Sequence, residues 1–140
     1  MTVKTTTHIN FRGNARAALA FYHATFGGQL TVVTYKDMGA VQNPAEADQI
    51  MWGKVEAESG FRIMAYDVPS RLDYAAGEIP FFVSLSGTTA DELNALWAKL
   101  VDAATIVQPI GPASWSPLSG MLKDKFGVTW VLDLEVPYQA

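Results

Sequence analysis

The chain contains no cysteine, which removes disulfides, thiol nucleophiles and thiolate metal sites together. No run approaches the roughly eighteen apolar residues that a membrane span requires. The start, MTVKTTTHIN, also lacks an apolar stretch of signal-peptide length. A soluble, cytoplasmic protein with no membrane partner is the expectation. Basic residues are few and stand singly, ten Lys and Arg against fourteen Asp and Glu for a net charge of -4. No basic stripe faces a phosphate backbone, so nucleic acid is not an expected partner. P-loop, G-x-G-x-x-G, H-E-x-x-H and EF-hand patterns are missing. Ser114, Ser116 and Ser119 lack a G-x-S-x-G elbow, which disfavours a serine hydrolase.

What is present is enough for a self-sufficient core. A chain of 140 residues buries roughly two-thirds of its unfolded surface on folding and needs no covalent or metal staple. Its 49% hydrophobic and 17% charged residues fit a globular protein rather than a disordered one.

The hydrophobic pattern occurs twice. Residues 6–12 alternate as a strand, Gly13 and Asn14 break the alternation, and ARAALAFYHATF follows as a helix over about 15–26, with Asn14 as N-cap and Gly27-Gly28 as the stop. Leu19, Tyr22, His23 and Phe26 form its buried stripe at i, i+3, i+4 and i+7. In the second half, Pro80 to Ser86 alternates, Gly87 breaks it, and a capping box of Thr88 or Thr89 with Asp91 or Glu92 opens DELNALWAKLVDA. Leu93, Leu96, Trp97 and Leu100 make the second stripe. An offset of 74 residues places Ile9 on Val83, Phe11 on Leu85, Gly13 on Gly87 and Leu19 on Leu93.

Three further strands follow each helix: QLTVVTYKD, QIMWGKVEA and FRIMAYDV in the first half, ATIVQPI, SGMLKD and VTWVLDLEV in the second. The fold class expected is α+β, with two tandem β-α-β-β-β modules in one domain. Module one covers about 1–67, a polar linker about 68–79, and module two about 80–140. A helix covers one face of a four-stranded sheet. The two uncovered faces are expected to enclose a cavity.

Four motifs keep their order along the chain: Asn10-Phe11-Arg12-Gly13-Asn14, the run from Phe21-Tyr22 to Phe26-Gly27-Gly28, Met64-Ala65-Tyr66-Asp67-Val68-Pro69, and Asp124-Lys125-Phe126-Gly127-Val128-Thr129-Trp130. In these the chain resembles the vicinal oxygen chelate superfamily, which includes glyoxalase I, extradiol dioxygenases and the fosfomycin and bleomycin resistance proteins, and within it the PhnB-like branch. The resemblance implies a homodimer. It also implies that a metalloenzyme member would place a His or Glu ligand on the first and third strand of each half. The matching positions are Thr6, Trp52, Pro80 and Val131, none of them a good ligand for a divalent ion. A shift of one or two residues would promote His8, Glu56 or Asp133, but no single shift supplies three ligands. No metal and no other cofactor is therefore expected.

The residues expected to line the cavity are Thr6, His8, Asn10, Trp52, Lys54, Glu56, Tyr66, Ser84, Trp115 and Val131. His8 reads either as a cavity histidine or as a half-exposed one bonded to a neighbour, whereas His23, on the helix stripe, reads as packing. Lys54 and Glu56 alternate with Trp52 on one strand face, as ligand-orienting or proton-moving groups or as an ion pair on a solvated rim. Trp52 offers a flat surface for stacking. Trp115 lies in a Gly, Pro and Ser-rich loop and reads as a pocket wall or interface residue. Trp97 and Trp130 read as core.

Two functions follow as alternatives. One is a metal-independent binding protein for a small aromatic or cationic ligand. The other is a glyoxalase or dioxygenase-type enzyme with a displaced or metal-free active site, in which His8, Lys54 and Glu56 are the catalytic candidates and must converge on one point.

Overall fold

The computed structural model describes residues 3–136, and its contacts separate two compact units, residues 1–77 and 78–140. Unit one runs β1 (Thr7–Phe11), α1 (Ala15–Phe26), β2 (Gln29–Thr34), a 3-10 turn (Pro44–Glu46), β3 (Ile50–Glu56) and β4 (Arg62–Asp67). Unit two runs β5 (Val83–Gly87), α2 (Ala90–Leu100), β6 (Thr105–Gly111), β7 (Ser119–Lys123) and β8 (Thr129–Leu134). The sheets have orders β1-β4-β3-β2 and β5-β8-β7-β6. In each, the first strand pairs in parallel with the last and the other pairs are antiparallel. The chain is thus α+β, built of two tandem β-α-β-β-β modules.

Each helix packs by one stripe against one sheet face. In unit one Ala15, Ala18, Leu19 and Tyr22 meet Ile9, Phe11, Ile50, Val55, Ile63 and Ala65, all buried. Each large side chain so buried is worth about 1.5–3 kcal/mol. In unit two Leu93, Trp97 and Leu100 stand with the fully buried Leu122, Trp130 and Leu132. The helices approach closely because the third strand of each module carries a glycine beneath them. A Cβ on Gly53 would collide with Leu19 Cδ1, and one on Gly120 would sit 2.8 Å from Trp97 Cζ3.

Several boundaries differ from the sequence pattern. The first strand begins at Thr7, leaving Thr6 just ahead of it, and β2 ends at Thr34, where Thr34 and Asp37 exchange hydrogen bonds in a turn. The fifth begins at Val83 and not at Pro80, its parallel ladder with β8 opening at Trp130, just after the turn that holds Gly127. Pro80, Phe81 and Phe82 therefore have no ladder to join. Helix α2 stops at Leu100, and Ala103 turns the chain in the left-handed region with φ 54.

The caps also differ between the modules. At α2, Thr89 accepts from the Glu92 N–H, so the Thr89–Glu92 pair caps the helix as the sequence reads, but Glu92 Oε1 accepts from the Thr89 hydroxyl at 2.7 Å and not from the backbone N–H of a full capping box. At α1, Asn14 holds the N-cap position but its side chain makes no capping bond. The buried Asp67 at the end of β4 takes over. Its Oδ1 accepts from the N–H of Gly13 at 2.7 Å and of Ala15 at 3.1 Å, and its Oδ2 from that of Ile50 at 2.9 Å. One carboxylate so joins β1, α1, β3 and β4. Beyond it, Arg12 donates to the carbonyls of Val68, Pro69 and Leu72, and the Tyr74 hydroxyl donates to Asn10 O at 3.0 Å. Residues 68–74 are thereby held against unit one.

Candidate functional site

On the face of the first sheet opposite α1, strand register sets the side chains in rows. His8 lies opposite Met64, Met64 opposite Lys54, and Lys54 opposite Thr31. In the next row Asn10 lies opposite Tyr66, and Trp52 opposite Val33. In the preceding row Glu56 lies between Arg62 and Gln29. Six expected cavity residues, His8, Asn10, Trp52, Lys54, Glu56 and Tyr66, thus share one face. Strand alternation puts them there, since their neighbours Ile9, Phe11, Gly53, Val55 and Ala65 face the helix.

Two clusters form on this face. The His8 and Tyr66 rings meet edge to face, with centroids 5.3 Å apart and planes at 66°. Lys54 Nζ stands 5.7 Å from the Trp52 ring centroid and 3.7 Å from Glu56 Oε1. Trp52 keeps 37% of its surface exposed, so its ring remains available beneath the ammonium. His8 does not join Lys54 and Glu56. It lies two strands away, about 9–10 Å at the usual strand spacing, with Met64 between. His23, expected on the buried stripe with Phe26, is only half-buried at the end of α1, with Nε2 3.0 Å from Gly28 O; the buried stripe is Ala15, Ala18, Leu19, Tyr22 and Thr25.

In unit two, Ser84 and Val131 are opposite one another on the face away from α2. One step along β8, Asp133 lies between Ser86 and Ser119. Trp115, 64% exposed, donates its indole N–H to Asp133 Oδ1 at 3.1 Å. The expected site lacked Asp133, although it stands two residues after Val131 on the same alternating strand. Pairing of loop and strand across eighteen residues leaves no local mark.

Unit one also holds a hollow with no local sequence signature, a cavity of about 350 Å³ whose walls include Tyr35, Asn43, Glu46, Met51, Ser70 and Arg71. Its two loops are clasped by Glu46, which accepts from the Ser70 N–H and hydroxyl. A bulge between Val33 and Thr34 leaves Met51 as the extra residue of β3, at the cavity wall. The Tyr35 hydroxyl donates to Asp67 O at 2.6 Å. Burial, with Tyr66 and Asp67 beside it, raises the Tyr35 phenol above its ordinary value. The loops that meet here are more than twenty residues apart in the chain, so periodicity could not join them.

The donor set does not fit a divalent ion. Thr6 precedes β1, Pro80 precedes β5, Trp52 is on the third strand of its module and Val131 on the fourth of its own, so the four positions are not equivalent as the resemblance supposed. Their side chains offer no imidazole or carboxylate. Among the described residues no three His, Cys, Asp or Glu are grouped so as to hold a metal, and Glu56 is engaged by Lys54.

A family model described as the Glyoxalase/Bleomycin resistance protein/Dioxygenase superfamily matches residues 6–132. Protein PA1353 from Pseudomonas aeruginosa is similar in structure with a TM-score of 0.81 at 30% identity, over 96% of this chain and 98% of that one. The PhnB protein from Bacillus cereus follows with a TM-score of 0.76 at 24% identity, over 95% of this chain and 100% of that one, a likeness of fold alone. A glyoxalase/bleomycin resistance protein/dioxygenase family enzyme from Burkholderia phytofirmans PsJN gives 0.64 at 14% identity, over 94% and 97% of the two chains. Comparison with curated protein sequences finds no match. With the repeated module, a family model spanning most of its length and a 30% identical structure covering nearly all of it, the chain belongs to the glyoxalase/bleomycin resistance protein/dioxygenase superfamily.

Proposed function

We propose that this protein binds a small aromatic molecule on the open face of unit one, without a metal ion. The observation that carries this reading is the Trp52–Lys54–Glu56 group, an exposed indole with an ammonium above it and a carboxylate beside that ammonium. A flat ring stacks on the indole, and Lys54 takes a negative or electron-rich substituent, a combination worth more once water is displaced. His8 and Tyr66 extend the surface across β4. The enzyme alternative has less support, because a metal-free mechanism run by His8, Lys54 and Glu56 needs all three at one point and His8 stands apart. A homodimer, implied by family likeness, belongs to the same reading.

The test is a titration of chelator-treated protein with 2-naphthoate, read at the Trp52 indole N–H by nuclear magnetic resonance. A saturable shift is expected, weakened about tenfold or more by Trp52→Ala, where binding is read at the Lys54 backbone amide. At a hundred times its dissociation constant the ligand stabilises the fold by about 2.7 kcal/mol. Absence of saturation at Trp52, or a response that requires added nickel or zinc, would sink the reading.

A further inference from the structure

The net charge of -4 is not spread evenly. Residues 1–77 carry seven acidic and seven basic side chains, residues 78–140 seven acidic and three basic. The whole excess of negative charge therefore lies in unit two. Of its three lysines, Lys125 is paired with Asp102 at 3.0 Å. Lys123 lies opposite Thr129, four residues along β8 from Asp133, or about 13 Å at the rise of a strand. Asp133 has no cation near it in its own rows of the sheet.

Beside that carboxylate stands the most exposed tryptophan ring of the described residues, and its position is fixed. The loop that carries it is stitched to β8 by the buried Ser116, whose hydroxyl lies 2.9 Å from Leu118 O and 2.8 Å from Leu134 O. Two backbone bonds, Ala113 N–H to Ser116 O and Leu134 N–H to Leu118 O, close the loop. The indole N–H then uses Asp133 Oδ1. An exposed aromatic ring held this way loses little freedom when a ligand binds.

We propose that Trp115 and Asp133 form a binding site for the ammonium group of a small organic amine. The chemistry is complementary at each contact. An ammonium within about 6 Å of the indole face is attracted by the ring quadrupole. Its N–H groups reach Asp133 Oδ2, the oxygen that the indole does not use, in a charge-assisted hydrogen bond. The hydroxyl of Ser86, exposed and opposite Asp133 in the register, accepts a further N–H group. A subunit contact explains the exposed ring less well, because covering this patch with apolar surface would bury half of a carboxylate without a partner. The site rests on unit two alone and is independent of the Trp52 reading.

The experiment is a titration of the full chain with 2-phenylethylammonium and, in parallel, with the neutral 2-phenylethanol. It is read at the Trp115 indole N–H, assigned by its loss in Trp115→Phe. The amine is expected to shift this resonance saturably, and the alcohol at least tenfold more weakly. Asp133→Asn, which keeps an acceptor for the indole, is expected to reduce affinity about tenfold or more. Trp115→Leu, with the loop still pinned by Ser116, should do likewise when read at the Asp133 amide. Equal responses to amine and alcohol overturn the proposal, as does an unsaturable shift. A Trp115 resonance that moves with protein concentration and not with amine also overturns it, marking the ring as a subunit contact. The Trp52 resonance of the same spectra reports separately on unit one, so failure of either site is distinguishable from failure of the other.

Discussion

Single residues do here what their local sequence does not announce. Tyr35 follows a strand whose alternation predicts continuation through Asp37, yet the Thr34–Asp37 turn swings it over the end of β4, where its hydroxyl meets Asp67 O. Burial and the nearby Tyr66 and Asp67 raise its phenol above the ordinary value of 10.0. The folded chain holds that proton more tightly than the unfolded chain. Its contribution to stability is complete below about pH 10 and is lost as pH rises through the folded value. Alkaline unfolding followed by circular dichroism is therefore expected to show a loss of stability above pH 10 that Tyr35→Phe reduces. Equal alkaline sensitivity in the two proteins would contradict the assignment. Trp115 illustrates the same point. Its exposure was readable from a loop rich in Gly, Pro and Ser, but its partner Asp133 was not.

At the level of elements, the two modules share a plan and differ in how their helices are begun. Thr89 and Glu92 are three residues apart and cap α2 by themselves, so that start was legible. Asn14 looked equally suitable, but the donors at the start of α1 are taken by Asp67, more than fifty residues later in the chain. Urea denaturation should separate these cases. Thr89→Ala is expected to cost about 1 kcal/mol and Asn14→Ala less than about 0.5 kcal/mol. Asp67→Asn is expected to cost about 2–3 kcal/mol, because a buried charged acceptor of three N–H groups is replaced by a neutral amide with donors of its own. A large loss at Asn14 would mean that it caps α1 after all. The start of β5 shows another limit of periodicity. Pro80 to Phe82 alternate like a strand, yet a strand needs a partner, and the ladder with β8 opens only where Val83 meets Trp130.

For the molecule as a whole, the donor inventory bears on the superfamily's metal chemistry. Two histidines and no cysteine leave carboxylates as the main source of ligands, and those on the open faces are engaged by Lys54 or by Trp115. After incubation with equimolar nickel or zinc and desalting, elemental analysis is expected to find well under one ion per chain. One tightly held ion per chain would contradict the metal-free reading. The uneven charge belongs to this scale too, since a neutral unit one and an acidic unit two suit ligands of different sign.

The sequence by itself determined the repeated β-α-β-β-β order, the helix stripes around Leu19, Tyr22, Leu93 and Trp97, and the alternation that sends His8, Asn10, Trp52, Lys54, Glu56 and Tyr66 to one sheet face. Those are consequences of short-range geometry, because helix and strand periods act over a few residues. Only the tertiary structure decided which of these side chains meet. Lys54 reaches Trp52 and Glu56 along its own strand, whereas His8 is carried to Tyr66 by the parallel pairing of β1 with β4, across more than fifty residues of chain. The same long-range pairing brings Asp67 to the start of α1. Strand order and register fix such contacts, and they follow from burial of the whole core rather than from any local pattern.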